Sequence, residues 1–389
     1  MDRLHDDPVE GQPYTLLSIL DSNEQDRLDG VGSDQNEWEY DSGKVRSIIT
    51  FPMLLLHTLR IFLFDKKSQR SKKEIPSVDG ASLLQIFDKF FESYFNESGV
   101  TGFIILLWKI RVRFDKHIIK WGKVENLEIH VIKKLYLSKD TLQRREPESN
   151  EGFALLQSML YHSQEIITHY WLTPFLYKLL QADSVRELYA YLRQLDNAMF
   201  CTNQQDELSV RSWSLIGQAL DKAKPKVEYL KLDDGRGTKF PSYIFYKLDY
   251  VLWYMKADIF SEAGRKLDPN MRKKWEEFRM TSRNSVEHIS SQQPKETDRN
   301  VVWSSEDSDE IKKGKLDDFG NLVLLTKGMN SEYSNKSFKV KRQEFFENPK
   351  LDCPKSSLIF LNNTWNYELC SEHRQKMKLY LQRYFNKTK

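Results

Sequence analysis

Apolar positions along this chain follow two periods. From Ile48 to about residue 256 they recur mostly at helical spacing, and near residues 286–325 they gather into short strand-like runs. The most apolar stretch, Ile48 to Phe64, contains Pro52, His57 and Arg60. Proline is tolerated in a first helical turn, so this stretch predicts a buried helix starting near Pro52. It is shorter than the roughly 20 apolar residues of a membrane span, and no anchor follows from it. Leu83, Leu84, Ile86, Phe87, Phe90, Phe91 and Tyr94 share a helical period, as do Leu155, Leu156, Leu160 and Tyr161. The region from Ser82 to about Lys256 is therefore expected to form several antiparallel helices. Trp108, Trp121, Trp171, Trp213 and Trp253 fall in it and are assigned to the core, as are His162 and His169, which lie seven apart. Val286 to Ile289 and Leu322 to Leu325 read as strands.

Residues 1–46 are polar, rich in Asp, Asn, Gln and Gly between Asp21 and Asp41, and are expected to be a poorly ordered or linker segment. With 389 residues the chain exceeds one ordinary core. The expected division is a linker at 1–46, a helical domain at 47–270 and a smaller domain at 271–389. A charged fraction of 30% with 13% aromatic residues excludes global disorder. The net charge of +3 does not advertise nucleic-acid binding, so any electrostatic footprint must be local. The strongest local run is Lys327, Lys336, Lys339, Lys341 and Arg342, interrupted only by Glu332 among nearby acids. Three widely spaced cysteines, Cys201, Cys353 and Cys370, give neither a disulfide framework nor a zinc site, which fits a cytoplasmic setting. The acidic start, Met1 to Asp7, lacks the pattern of a secretory signal.

The candidate chemistry sits near the end of the chain. Glu287 and His288 are adjacent, and Asn321 and Asn330 follow, nine residues apart across an apolar strand. Phosphodiester hydrolysis needs a hard cation, which Glu and Asn oxygens suit, and a base for water, which neutral imidazole supplies. On a strand, Glu287 and His288 project to opposite faces, so one can serve a metal and the other a water. Each residue also has a plainer reading: Asn321 after Gly320 as turn chemistry, and Asn330 as a helix cap.

The order Glu287-His288-Ile289, then Gly320-Asn321-Leu322-Val323-Leu324-Leu325, then Asn330 and Ser334 to Phe338 with Lys341, resembles the HNH nuclease domain that ends the GmrSD-like, modification-dependent type IV restriction enzymes. Arg46 to His57 resembles the helix that opens that family's helical middle region, Tyr243 to Leu248 the helix leading into its nuclease domain, and Trp365 with Arg374 its closing helix. The family usually carries Pro-Gln after its His-Ile, whereas this chain has Ser290-Ser291-Gln292-Gln293-Pro294. The resemblance implies a mainly α protein: a multi-helix domain followed by a small α+β domain of ββα-metal type. It implies one Mg2+ or Mn2+ ion held by Glu287 and Asn330, with Asn335 as the alternative ligand. His288 would be the base and Asn321 would steady its loop. Apart from the resemblance, a helix after Asn330 would set Lys336, Lys339, Lys341 and Arg342 either against phosphates or along a solvated face, the two being about equal. The expected activity is DNA cutting, of modified phage DNA among other targets, in defence against foreign DNA. Full-length relatives begin with a ParB-like nucleotide-hydrolysing domain, so a separate subunit of that kind is the expected partner. Two rival readings are a non-catalytic helical adaptor with an inactive nuclease remnant and an RNA-cutting toxin of the same fold.

Overall fold

A computed structural model describes residues 45–388, apart from 125–126, 133, 139–140, 146–150, 164–167, 265–266 and 295–299. The expected linker lies almost wholly outside the described residues. Chain entry is a short strand, β1 (Arg46–Ser47), followed by α1 (Phe51–Lys66) with Pro52 in its first turn. Residues Met53 to Leu63 of α1 are buried without interruption, so the helix is wrapped on all sides. Its polar members are satisfied inside: Arg60 donates to Thr173 Oγ1, Ser209 O and Ser212 Oγ, and His57 Nδ1 lies 2.8 Å from Thr173 Oγ1.

Helices α2 (Leu83–Tyr94) and α3 (Glu97–His117) come next, and α3 packs on α1. The chain then departs from the helical expectation. Residues 120–145 form two small antiparallel arrangements: β2 (Lys120–Val124) pairs with β1 and β3 (Leu127–Val131), and β4 (Lys134–Ser138) pairs with β5 (Thr141–Arg145). Leu127, Ile129 and Val131 alternate with Glu128 and His130, a period of two that favours a strand over a helix.

The helical body resumes with α4 (Glu151–His162), α5 (Leu172–Gln181), α6 (Val185–Phe200), α7 (Leu208–Ser214), α8 (Ser242–Tyr254), α9 (Lys256–Ala263) and α10 (Pro269–Glu276). The last stretch holds β6 (Ser285–His288), α11 (Asp309–Leu316), β7 (Leu322–Leu325), α12 (Lys327–Tyr333), α13 (Phe338–Glu347), α14 (Pro354–Phe360) and α15 (Tyr367–Lys387). The fold is thus mainly helical, with a two-stranded element and a following helix inside its C-terminal part.

Residues 45–389 form one compact unit. Helix α8 is its axis: it packs against α4 on one side and against α14, α15 and β7 on the other. Two buried ion pairs reinforce it. Lys247 on α8 meets Asp196 on α6, and Arg283, just before β6, donates to Asp249 on α8 at 2.5 Å. Arg283 also reaches the Leu324 and Asp352 carbonyls, so one guanidinium ties α8 to both strands of the C-terminal pair. No helix among the described residues is long and apolar enough to cross a membrane.

Two expectations about aromatic and imidazole side chains change. Trp171, Trp213 and Trp253 are buried as expected, but Trp108 is 70% exposed on α3. His162 ends α4, whereas His169 lies in the turn before α5 with φ of 45°, so the two do not share one helix face. They nevertheless share one cluster, His169 buried and His162 half-buried: His162 lies 4.9 Å from His130, and His169 stacks on Tyr161 at 4.7 Å. Burial lowers their pKa values to about 2 for His130, 3 for His162 and 4 for His169.

Candidate active site

Strands β6 and β7 pair antiparallel, with Ser285 opposite Leu325 and His288 opposite Leu322. All four residues of β7 are buried, which an unbroken apolar run between two packed layers requires. Helix α12 follows β7 at once, started by Thr326, whose hydroxyl accepts from Met329 N. The strand pair is therefore followed by a helix, with α11 inserted between its two strands and Glu287 and His288 at the end of the first strand.

The two neighbours diverge. Glu287 points toward α13, where Lys341 donates to its Oε1 at 2.6 Å and to the His288 carbonyl at 2.8 Å. Burial raises the Glu287 pKa, and the Lys341 charge opposes the rise. His288 points toward the segment before β7. Its Nε2 lies 3.1 Å from Asp317 Oδ1, and its Nδ1 lies 3.0 Å from the Gln292 amide nitrogen. A carboxylate only accepts, so Nε2 carries the hydrogen and Nδ1 keeps its lone pair beneath Gln292. Burial holds the imidazole below its usual pKa, and Asp317 raises it part of the way back.

Asn321 is fully buried and uses every polar atom of its side chain. Its Oδ1 accepts from Ser290 N at 2.8 Å and from Trp365 Nε1 at 3.1 Å, and its Nδ2 donates to Leu316 O at 3.0 Å. Its own carbonyl accepts from Ile289 N at 2.9 Å. One residue thereby joins the loop after His288, the end of α11 and Trp365. The turn in front of it is also braced: Asp318 accepts from Gly320 N and from Arg374 on α15.

Asn330 lies in the middle of α12, past the Thr326 cap, so it is not itself the cap. Its Nδ2 donates to Ser285 Oγ at 2.7 Å. Ser285 and Glu287 are two apart on a strand and share a face, so Asn330 sits on the Glu287 side. Its Oδ1 is buried and has no hydrogen-bond partner. Asn335 is exposed, with Oδ1 3.5 Å from Ser291 Oγ.

The basic run divides. Lys339 is exposed, and Lys336 is half-buried in an ion pair with Glu344 at 2.6 Å. Lys341 corrects the expectation of a phosphate contact, because it is fully buried and spent on Glu287 and the His288 carbonyl. Arg342 is likewise turned inward, its Nε donating to the Phe360 and Asn362 carbonyls.

Residues 230–378 match the family model described as GmrSD restriction endonucleases, C-terminal domain. This part of the chain is similar to the C-terminal domain of the GmrSD restriction endonucleases. No curated protein and no solved structure gives a significant match. The GmrSD match carries a nuclease role with DNA as its substrate. The matched span starts ahead of α8 and takes in both strands, α12 and most of α15, so the GmrSD-type domain includes the helix that joins it to the body.

Two polar contacts of this GmrSD-type site escaped the sequence reading. Asp317 and Gln292 flank the His288 ring, yet neither stands out in the chain. The nearest signal for Asp317 was the acidic pair Asp317-Asp318 in front of Gly320-Asn321. Among the described residues no group of three or more His, Cys, Asp or Glu side chains is poised for a metal, so an ion here would rest on Glu287 and an amide oxygen.

Proposed function

We propose that this chain is a one-metal DNA endonuclease of the ββα-metal, HNH type, with His288 as the general base. The observation that carries the reading is the His288 ring. It stands at the end of β6, neutral at physiological pH, with its hydrogen directed to Asp317 and its Nδ1 lone pair covered only by an amide. A water that displaces the Gln292 amide reaches Nδ1 and gives up its proton there as it attacks phosphorus. Asp317 stabilises the imidazolium that forms, and Asn321 fixes the loop so that the ring keeps its angle.

The residues present also fit a hard divalent ion. The Asn330 Oδ1 is buried without a partner, a costly state for an amide oxygen that a cation would relieve. Glu287 lies on the same strand face, and Lys341 holds it as a carboxylate that it would share with the ion. Bound Mg2+ or Mn2+ supplies charge to offset the phosphate and the leaving oxygen. Lys336 and Lys339 remain at the surface for backbone phosphates, with Asn335 beside them as the reserve ligand.

The wider proposal is defence against foreign DNA in the cytoplasm, modified phage DNA included, with a separate ParB-like nucleotide-hydrolysing subunit as regulator. A second reading draws on Lys341: an ammonium on Glu287 is also what an adaptor that grips DNA without metal would show. Cleavage of plain and hydroxymethylated or glucosylated plasmid, with Mg2+, Mn2+ or chelator, tests both. The nuclease reading expects metal-dependent cutting that His288→Ala abolishes while the fold persists. Equal DNA binding with chelator and no cutting by either protein supports the adaptor, and undiminished cutting by the variant removes His288 as base.

A further inference from the structure

Helix α3 has two apolar faces. Phe103, Ile110 and Phe114 are buried and form the core side. On the opposite side Thr101, Ile104, Ile105, Trp108 and Val112 recur every three or four residues and make one stripe. Ile104 is 45%, Ile105 50%, Trp108 70% and Val112 49% exposed. From Thr101 to Val112 the stripe is about 16 Å long at 1.5 Å per residue. A contiguous apolar surface centred on a tryptophan is unfavourable in water and marks a place where another surface docks.

We propose that this stripe is the seam of a two-fold dimer, in which α3 of one copy packs antiparallel on α3 of a second copy. Charge along the helix favours that occupant. Glu97 lies in the first turn and Lys116 in the last; both are exposed, Lys116 in a solvent-facing ion pair with Asp183 at 2.7 Å. Antiparallel pairing sets each acid beside the other copy's base and opposes the two helix dipoles, whereas parallel pairing brings like ends together. The register with Glu97 opposite Lys116 also sets Thr101 opposite Val112 and Ile105 opposite Trp108, with Ile104 beside the stem of Lys109. The functional consequence rests on the nuclease reading above. A single base and ion hydrolyse one strand at a time, and the strands of a duplex are themselves related by a two-fold, so a symmetric pair of sites suits cutting both.

Sedimentation of the full chain over a range of concentrations tests the seam with wild type and Trp108→Glu. The expected result is a dimer that the substitution weakens at least tenfold, with an unchanged circular dichroism spectrum because the side chain is already in water. A Thr101→Cys, Val112→Cys double variant treated with a short bismaleimide should give a cross-linked dimer, while either single variant gives none; Cys201, Cys353 and Cys370 are buried and do not compete. A monomer at every concentration, a dimer indifferent to Trp108→Glu, or no cross-link overturns the proposal. These measurements do not require cutting. A protein that dimerises through Trp108 but never cleaves keeps the seam and refutes the nuclease reading, and an active monomer does the reverse. If both hold, Trp108→Glu shifts plasmid products from linear toward nicked.

Discussion

A carboxylate at position 317 governs what His288 can do. Burial pushes the imidazole below its ordinary pKa and Asp317 pulls it back up, so the ring is neutral yet has a partner ready for the charge it acquires. Asp317→Asn removes the raising influence, and the ring then stays deprotonated to lower pH. The acid limb of the kcat/KM profile should move to lower pH while the plateau falls by about 10²-fold, because the imidazolium loses its counter-charge. A pH series of plasmid cleavage measures both changes, and a limb that moves upward would count against Asp317 as the partner of the base. At this scale legibility was uneven. Glu287, His288, Asn321 and Asn330 are set apart by residue type, order and apolar neighbours. Asp317 and Gln292 are ordinary surface types that only the folded turn brings to the ring. Lys341 was misread as a solvated cation because lysines surround it, although it shares a helix face with Phe338 and Phe345, which are buried. That spacing was the available signal.

Between the two strands, the segment Asp318 to Asn321 is the element on which the site depends. Gly320 has no side chain because a Cβ there would run into the backbone carbonyl and the sulfur of Cys370 on α15. Gly320→Ala must therefore push the turn off α15, loosening the Asp318 to Arg374 contact and the Asn321 clamp together. The expected cost is about 1–3 kcal/mol, typical of overpacking a tight contact, read as a lower urea midpoint with an unchanged slope. Element types were readable where period and length agreed, as for α1 starting beside Pro52. They were not readable at residues 120–145, where short alternating runs sat among long helical ones and were absorbed into them. The exposed face of α3 was hidden for a related reason: its apolar residues ring the helix, and side-chain type alone does not say which of two apolar faces meets the core.

Across the whole molecule, one continuous core joins the helical body to the strand pair, with α8 between them and Arg283 bridging α8 to both strands. This core also holds a histidine cluster with an acid-side consequence. His130, His162 and His169 have folded-state pKa values of about 2, 3 and 4, against about 6.5 in an unfolded chain. Between pH 6.5 and about 4 the unfolded chain binds protons that the folded one refuses, so stability is intact above that window and falls as pH drops through it. The thermal midpoint should decline from pH 7 to pH 5, and His162→Phe should make the decline shallower; a midpoint flat across that range would show that the cluster protonates freely in the folded state. The position of α15 has a consequence of another kind. Trp365 and Arg374, which steady Asn321 and Asp318, are encoded near the far end of the chain, and Gly320 fits only against Cys370. A ribosome delivers the dyad and both strands before the helix that buttresses them. The turn therefore stays unbraced until α15 has emerged, and the cleft matures only then.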